Sequence, residues 1–142
     1  MNRSLSRIAT LICAALLALL STGCSKPSGS HDGIVRFSDN SPVQSGSVEF
    51  RSLADGSRYA SRIAGDGSFT LTNLDGDVGC PPGDYEVVVV QIVLTEDLAA
   101  ETHQHGRTVP RRYADYYTSG LRATNPEDSD TLLTITLDPS DE

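Results

Sequence analysis

His103 and His105 are separated by one residue. On an extended segment that spacing turns both imidazoles to the same side, where they could share one metal ion. Glu101 is the nearest carboxylate, but nothing in the sequence fixes it as a third ligand, and a metal site needs further ligands and a supporting shell. A polar loop with exposed imidazoles is the preferred account of the pair, so no metal or other cofactor is expected. Asn73-Leu74-Asp75-Gly76-Asp77 has the composition of a calcium loop but lacks its twelve-residue ligand pattern and closing glutamate. Arg107, Arg111 and Arg112 stand near Tyr113, Tyr116 and Tyr117. Arginine forks and aromatic faces together grip anions and sugars, which makes the Arg107 to Tyr117 loop the candidate ligand surface, with Arg111, Arg112, Tyr113, Tyr116 and Tyr117 its candidate residues. The competing reading is that the tyrosines pack the loop down while the arginines pair with Asp115 and other acids. Serine, histidine and aspartate all occur, but nothing marks a nucleophile elbow or a triad, and no enzyme is expected.

The N-terminus carries a different chemistry. Arg3 and Arg7 precede an apolar run from Ile8 to Leu20, which is too short to span a bilayer and reads as an export signal. It ends in Leu20-Ser21-Thr22-Gly23-Cys24, which resembles the bacterial lipobox. That resemblance implies cleavage before Cys24 and lipidation of its thiol, with a diacylglyceryl thioether and an N-acyl chain such as palmitate. Several chains anchor stably where a single one does not. Residues 1–23 are thus expected to be a lipoprotein signal peptide and 24–32 a flexible polar tether, leaving 33–142 as the folded domain. Cleavage would remove Cys13, lipid would consume Cys24, and Cys80 would remain alone, as a buried small hydrophobe or a free thiol.

The formal charge is −8, and losing the signal makes it more negative, because Arg3 and Arg7 leave with it and no acid does. Such a surface argues against nucleic acid and against electrostatic docking on anionic lipid. The expected attachment is to the cell membrane through the N-terminal lipid, on its periplasmic or other extracytoplasmic face.

These residues need elements to position them, and the elements read as strands. Gly33 to Phe37 alternates, with Val35 and Phe37 inward; Gly46 to Arg51 repeats the pattern with Val48 and Phe50. Asp39-Asn40-Ser41-Pro42 and Ala54-Asp55-Gly56-Ser57 are turns. Arg58 to Ala64 and Ser68 to Thr72 flank Gly65-Asp66-Gly67 and read as the firmest hairpin. Gly83 to Leu94 is the longest β-branched run, Ser119 to Thr124 a short strand, and Thr131 to Asp138 the last one, with Leu133, Ile135 and Leu137 inward. A helical turn or two could start at Thr95. Short strands at close spacing without βαβ units predict an all-β fold, a seven-stranded antiparallel β-sandwich of prealbumin or immunoglobulin-like type.

The order Gly33-x-Val35-x-Phe37-x-Asp39, Pro42-Val43-x-x-Gly46-x-Val48-x-Phe50, Ala64-Gly65-Asp66-Gly67-Ser68-Phe69-x-Leu71, Pro82-Gly83-Asp84-Tyr85-x-Val87 and Val109-Pro110-x-x-Tyr113-Ala114-Asp115 covers nearly the whole mature chain. It resembles the carboxypeptidase regulatory-like domains, which are transthyretin-like (prealbumin-like), and especially the short lipoproteins of this kind found in planctomycete bacteria. Asp39-Asn40-Ser41-Pro42 stands where that pattern has Asp-Gly-x-Pro. The resemblance implies a β-sandwich without catalytic residues. The hydroxyisourate hydrolases, enzymes of transthyretin-like fold, end in Tyr-Arg-Gly-Ser, whereas this chain ends Asp138-Pro139-Ser140-Asp141-Glu142.

The expected function is a lipid-anchored envelope β-sandwich with a binding or structural role and an envelope protein or glycan as partner. The alternatives are a glycan- or anion-binding module using the Arg107 to Tyr117 loop and, more weakly, a metal-dependent enzyme through His103 and His105. One structural expectation bears on these readings. The strand from Gly83 is apolar on both faces from Val87 onward, although the outer face of a two-layer sandwich is normally polar. Val88, Val90 and Ile92 therefore need a cover, either the chain's own 95–118 loop, with Leu98 and the tyrosines, or a second molecule.

Overall fold

The computed structural model describes residues 29–92 and 106–140. Seven strands form: β1 (Asp32–Phe37), β2 (Ser47–Ser52), β3 (Arg58–Arg62), β4 (Ser68–Thr70), β5 (Gly83–Val90), β6 (Leu121–Asn125) and β7 (Leu133–Leu137). A 3-10 turn at Arg111–Ala114 and one α turn, α1 (Tyr116–Ser119), precede β6. The strands make two sheets, ordered β4-β1-β7 and β3-β2-β5-β6. Between them lies one core built from the inward positions of alternating strands. Val35 and Phe37 of β1, Val48 and Phe50 of β2, Val87 and Val89 of β5 and Ile135 and Leu137 of β7 all belong to it. Phe50 sits with its ring centroid 5.9 Å from those of both Phe69 and Tyr85, in the tilted geometry that aromatic pairs favour.

Two expectations are corrected. The sandwich is not all antiparallel: β1 pairs with β7 in parallel, from Gly33 opposite Leu133 to Phe37 opposite Leu137, while every other named pairing is antiparallel. A short turn forces its two strands to run antiparallel, but β1 and β7 come from opposite ends of the domain and no turn dictates their sense. The second correction concerns the hairpin. The turn at Asp66-Gly67 forms, with Ala64 donating its N–H to the Ser68 carbonyl and Gly67 at φ 86°. Its arms then diverge, β3 joining β2 in one sheet and β4 joining β1 in the other, tied by the Ala60–Thr72 bridge and by the Thr70 N–H donating to the Ser61 hydroxyl at 3.1 Å. The sequence pattern locates the corner but cannot tell a hairpin from a crossing between sheets, because both need the same reversal.

The turns share a device. Asp39, Asp66 and Asp138 each accept, on one carboxylate oxygen, the N–H and the hydroxyl of the serine two residues on (Ser41, Ser68 and Ser140). Asn40 stands at φ 67°, the left-handed region that glycine otherwise fills and that asparagine tolerates. These bonds hold the carboxylates ionised. The Ser41 hydroxyl and N–H, helped by Arg107, pull Asp39 down to about 2, and Ser68 and Ser140 lower Asp66 and Asp138 in the same way.

One end of the sandwich gathers the chain start, the loop after β2, the loop between β4 and β5, and the β6–β7 connection. The registers require this: Asp32 lies opposite Thr70, Gly33 opposite Leu133, Gly83 opposite Asn125 and Ser52 opposite Tyr85. The buried Asn125 side chain ties that end together. Its Oδ1 accepts the Ser30 N–H at 3.0 Å. Its Nδ2 donates to the carbonyls of Ser30 at 2.8 Å, Cys80 at 2.6 Å and Pro81 at 3.1 Å. The Ser30 hydroxyl is spent on the Thr131 carbonyl and the Tyr85 hydroxyl on the Pro81 carbonyl, at 2.6 Å for the latter. The fold therefore starts earlier than the expected tether allows. Ser30 is fully buried, Leu71 donates to the His31 carbonyl, and β1 begins at Asp32, so 29–32 pack as part of the domain.

Two outcomes follow. Asn125→Ala strands buried carbonyls and an N–H that no water reaches, and should cost about 3 kcal/mol in urea unfolding, with Asn125→Asp costing no less because its carboxylate would face three carbonyl oxygens. A cost below about 1 kcal/mol would mean that the amide does not tie the end together. The pH profile has a definite sign. The folded aspartates titrate below their unfolded value of about 3.9, so their contribution is present above about pH 4 and is lost as pH falls toward about 2. The urea midpoint should drop over that window, and Asp39→Asn with Asp66→Asn should flatten the drop; an unchanged acid limb would assign it to other groups.

Candidate functional site

Gly106 opens the described part of the candidate surface. The Val109 N–H donates to Oε1 of Gln91 at 2.9 Å, while Nε2 of Gln91 holds the Ser45 hydroxyl at 2.9 Å. Val109 and Pro110 are buried, and Pro110 leads into the 3-10 turn. Asp115 then caps α1 by accepting the Tyr117 N–H at 2.7 Å, and Gly120 at φ 63° ends it. These elements lie against β5: the Ser119 hydroxyl donates to the Val87 carbonyl at 2.6 Å.

The fold divides the candidate residues. Tyr113 is buried in the core, and its hydroxyl accepts the Asp138 N–H at 2.9 Å. Arg112 donates to that hydroxyl at 2.9 Å, stands over the Tyr113 ring at 4.7 Å, and bonds the Asp138 carbonyl at 3.1 Å and the Ser140 carbonyl. This pair clamps the segment after β7. Tyr116 is half-buried, and its hydroxyl donates to Glu49 at 2.7 Å under an Arg51 guanidinium 3.9 Å from its ring. Burial and Glu49 push the Tyr116 phenol far above its ordinary range. Arg107 pairs with Asp39 at 2.8 Å and covers the Phe37 ring at 5.0 Å. Arg111 and Tyr117 alone among the five candidates are exposed, Tyr117 to 96 %.

Tyr116 lies on a charged row that the sequence did not reveal. Glu86 of β5 stands opposite Arg51 of β2 and Arg122 of β6. It accepts from Arg51 Nε at 3.0 Å and from Arg122 Nη1 at 2.8 Å, and Arg51 is the first reason its carboxyl is held low. The outer face of β5 is thus polar at Glu86 and apolar beyond it. Val88, opposite Glu49, is 5 % exposed although it lies outside the core, Val90 is half-buried and Ile92 is 78 % exposed. Tyr116 of the 111–119 segment reaches this face at Glu49, opposite Val88. Leu98 of the expected cover and the helical turn expected from Thr95 lie outside the described residues, as do Cys24, Glu101, His103 and His105.

The remaining sites are structural. Asn73 closes its own loop by accepting the N–H groups of Asp75 and Asp77, each at 2.9 Å. Among the described residues no three His, Cys, Asp or Glu side chains are placed to share a metal ion. Cys80 is buried and unpaired, and burial raises its thiol, so it is a protonated small hydrophobe rather than a nucleophile. It borders an open cleft of about 250 Å³ lined also by Tyr59, Asn73, Val78 and Pro81. No helix among the described residues is long and apolar enough to cross a membrane. Comparison of the chain with protein-family models, curated proteins and solved structures finds no match in any of the three.

The division of the loop has a direct test. Tyr113→Phe should cost about 1 kcal/mol and Arg112→Ala a similar amount, whereas Arg111→Ala and Tyr117→Ala should stay within about 0.5 kcal/mol of the parent. Urea midpoints measure all four, and equal effects would remove the distinction between clamp and free surface.

Proposed function

We propose that the protein is a lipid-anchored β-sandwich of the cell envelope, carboxypeptidase regulatory-like (transthyretin-like) in type, with a binding or structural role and no catalysis. The observation that carries the anchor is positional. Gly29, five residues after Cys24, is already buried in the domain. At most Ser25-Lys26-Pro27-Ser28 separates the lipobox-like cysteine from the fold. A domain set so close behind a lipid attachment point needs no spanning helix of its own. The family assignment draws support from Asn40, which adopts the left-handed conformation at the position where the resembling pattern has glycine.

The role is read from where the polar side chains go. Arg107, Arg112, Tyr113 and Tyr116 are engaged in holding the loop to the sandwich. Arg111 and Tyr117 are the residues of this loop left to meet an envelope protein or a glycan. They recognise by a guanidinium fork and an aromatic face, not by proton transfer.

The anchor is tested by expressing the full-length chain in a bacterial host fed a labelled fatty acid. The chain should take up label and fractionate with membranes, and Cys24→Ala should lose both. A parent that stays unlabelled, or a Cys24→Ala variant labelled equally, would overturn the assignment.

A further inference from the structure

The end of the sandwich that holds Gly29 and Ser30 also carries most of the exposed large apolar side chains among the described residues. Among the described residues those are Leu53, Leu74, Val78, Ile92, Tyr117 and Leu132. Four of them stand at the Gly29 end: Leu53 follows β2, Leu74 and Val78 lie between β4 and β5, and Leu132 precedes β7. Leu74 is 86 % exposed and Leu132 58 %. They come from connections belonging to both sheets. An occupant that touches all of them has to lie across the whole end, as a plane does, and not along one face.

We propose that this end is a membrane-facing surface, with Leu53, Leu74, Val78 and Leu132 set at the level of the lipid headgroups. The inference rests on the Cys24 anchor. Five residues of chain reach no more than about 18 Å, so a lipidated Cys24 holds Gly29, and the end it is packed into, close to the bilayer. Gly29 cannot swing free to relax this. A side chain there would run into the Cys80 carbonyl oxygen, and Ser30 beside it is locked by Asn125. The connection is therefore short and its domain end is rigid. Of the chemistries such an end could meet, an uncharged or zwitterionic bilayer fits. The apolar tips alternate with Asp55, Asp75, Asp77, Asp128 and Asp130, which an anionic surface would repel.

The chain has no Trp, so a single introduced Trp reports its own surroundings. The full-length protein, purified from host membranes and reconstituted in phosphatidylcholine vesicles containing brominated lipid, is compared as Leu74→Trp, Leu132→Trp and Ile92→Trp. Ile92 is equally exposed but lies past the far end of β5. Emission from Leu74→Trp and Leu132→Trp should be quenched about twofold or more, and that from Ile92→Trp hardly at all, since Trp favours the bilayer interface where it can reach it. Phosphatidylglycerol vesicles at low salt should weaken the quenching, and added salt should restore it. Equal quenching at all three positions, or none at any while the protein stays vesicle-bound, overturns the orientation and leaves the anchor standing. A blue shift of Leu74→Trp that needs no vesicles and grows with protein concentration would assign the end to a second copy and equally overturn it. If parent and Cys24→Ala both fail to partition with vesicles, the anchor itself fails and takes the orientation with it.

Discussion

The buried amide of Asn125 is the constraint on which one end of this fold depends. Its oxygen and nitrogen together hold Ser30, Cys80 and Pro81, which belong to the chain start and to the connection between the sheets. Each of these backbone groups lies where no strand ladder can satisfy it. A buried unpaired carbonyl or N–H costs about 1–3 kcal/mol, against a typical domain stability of about 5–15 kcal/mol. A single side chain that closes four such contacts decides whether the first segment packs or frays. With Ser30 held, β1 is aligned to meet β4 on one side and β7 on the other. The parallel pairing of β1 with β7 begins at this same end, with Gly33 opposite Leu133.

The rest of the architecture is carried by alternation and by turns, which is why so much of it was legible. Val35 and Phe37, Val48 and Phe50, and Leu133, Ile135 and Leu137 sit inward as their period of two requires. The Asp-x-Ser turns fall where the sequence puts them, because the carboxylate closes on a partner two residues away. Long-range facts were not legible. Asn125 precedes a proline and reads as an ordinary turn residue, and its burial depends on Ser30, 95 residues earlier. The separation of β3 from β4 into different sheets depends on which partners β1 and β2 find elsewhere. Local pattern carries no trace of either.

The candidate loop was legible in kind but not in detail. An arginine and tyrosine cluster in an acidic chain draws attention for good reason, and the structure packs part of it onto the sandwich while leaving Arg111 and Tyr117 exposed. Tyr113 went inward because its ring fills the core and its hydroxyl finds Asp138; Tyr116 stopped halfway because Glu49 and Arg51 receive it at the sheet surface. Tyr117, one residue on, points to solvent because a single α turn rotates its side chain off the sheet. The row Arg51–Glu86–Arg122 explains why Tyr116 lands there. Such a row exists only once three strands are in register, so no reading of one strand at a time could have found it.

These two regions have opposite characters, and their placement relates them. The Gly29 end is tied inside by Asn125 and tipped outside by leucines. The 111–119 segment packs along β5, with Tyr113 turned into the core, Tyr116 on the outer row at Glu49 and Arg51, and Ser119 bonded to the Val87 carbonyl. Arg111 and Tyr117 are exposed on that segment, outside the connections that make up the Gly29 end. Acids around the leucine tips disfavour an anionic surface, so attachment of that end would have to come from the proposed lipid anchor rather than from surface charge. On the proposed anchor, the burial of Gly29 five residues after Cys24 would limit the slack between attachment and fold more than a long tether would.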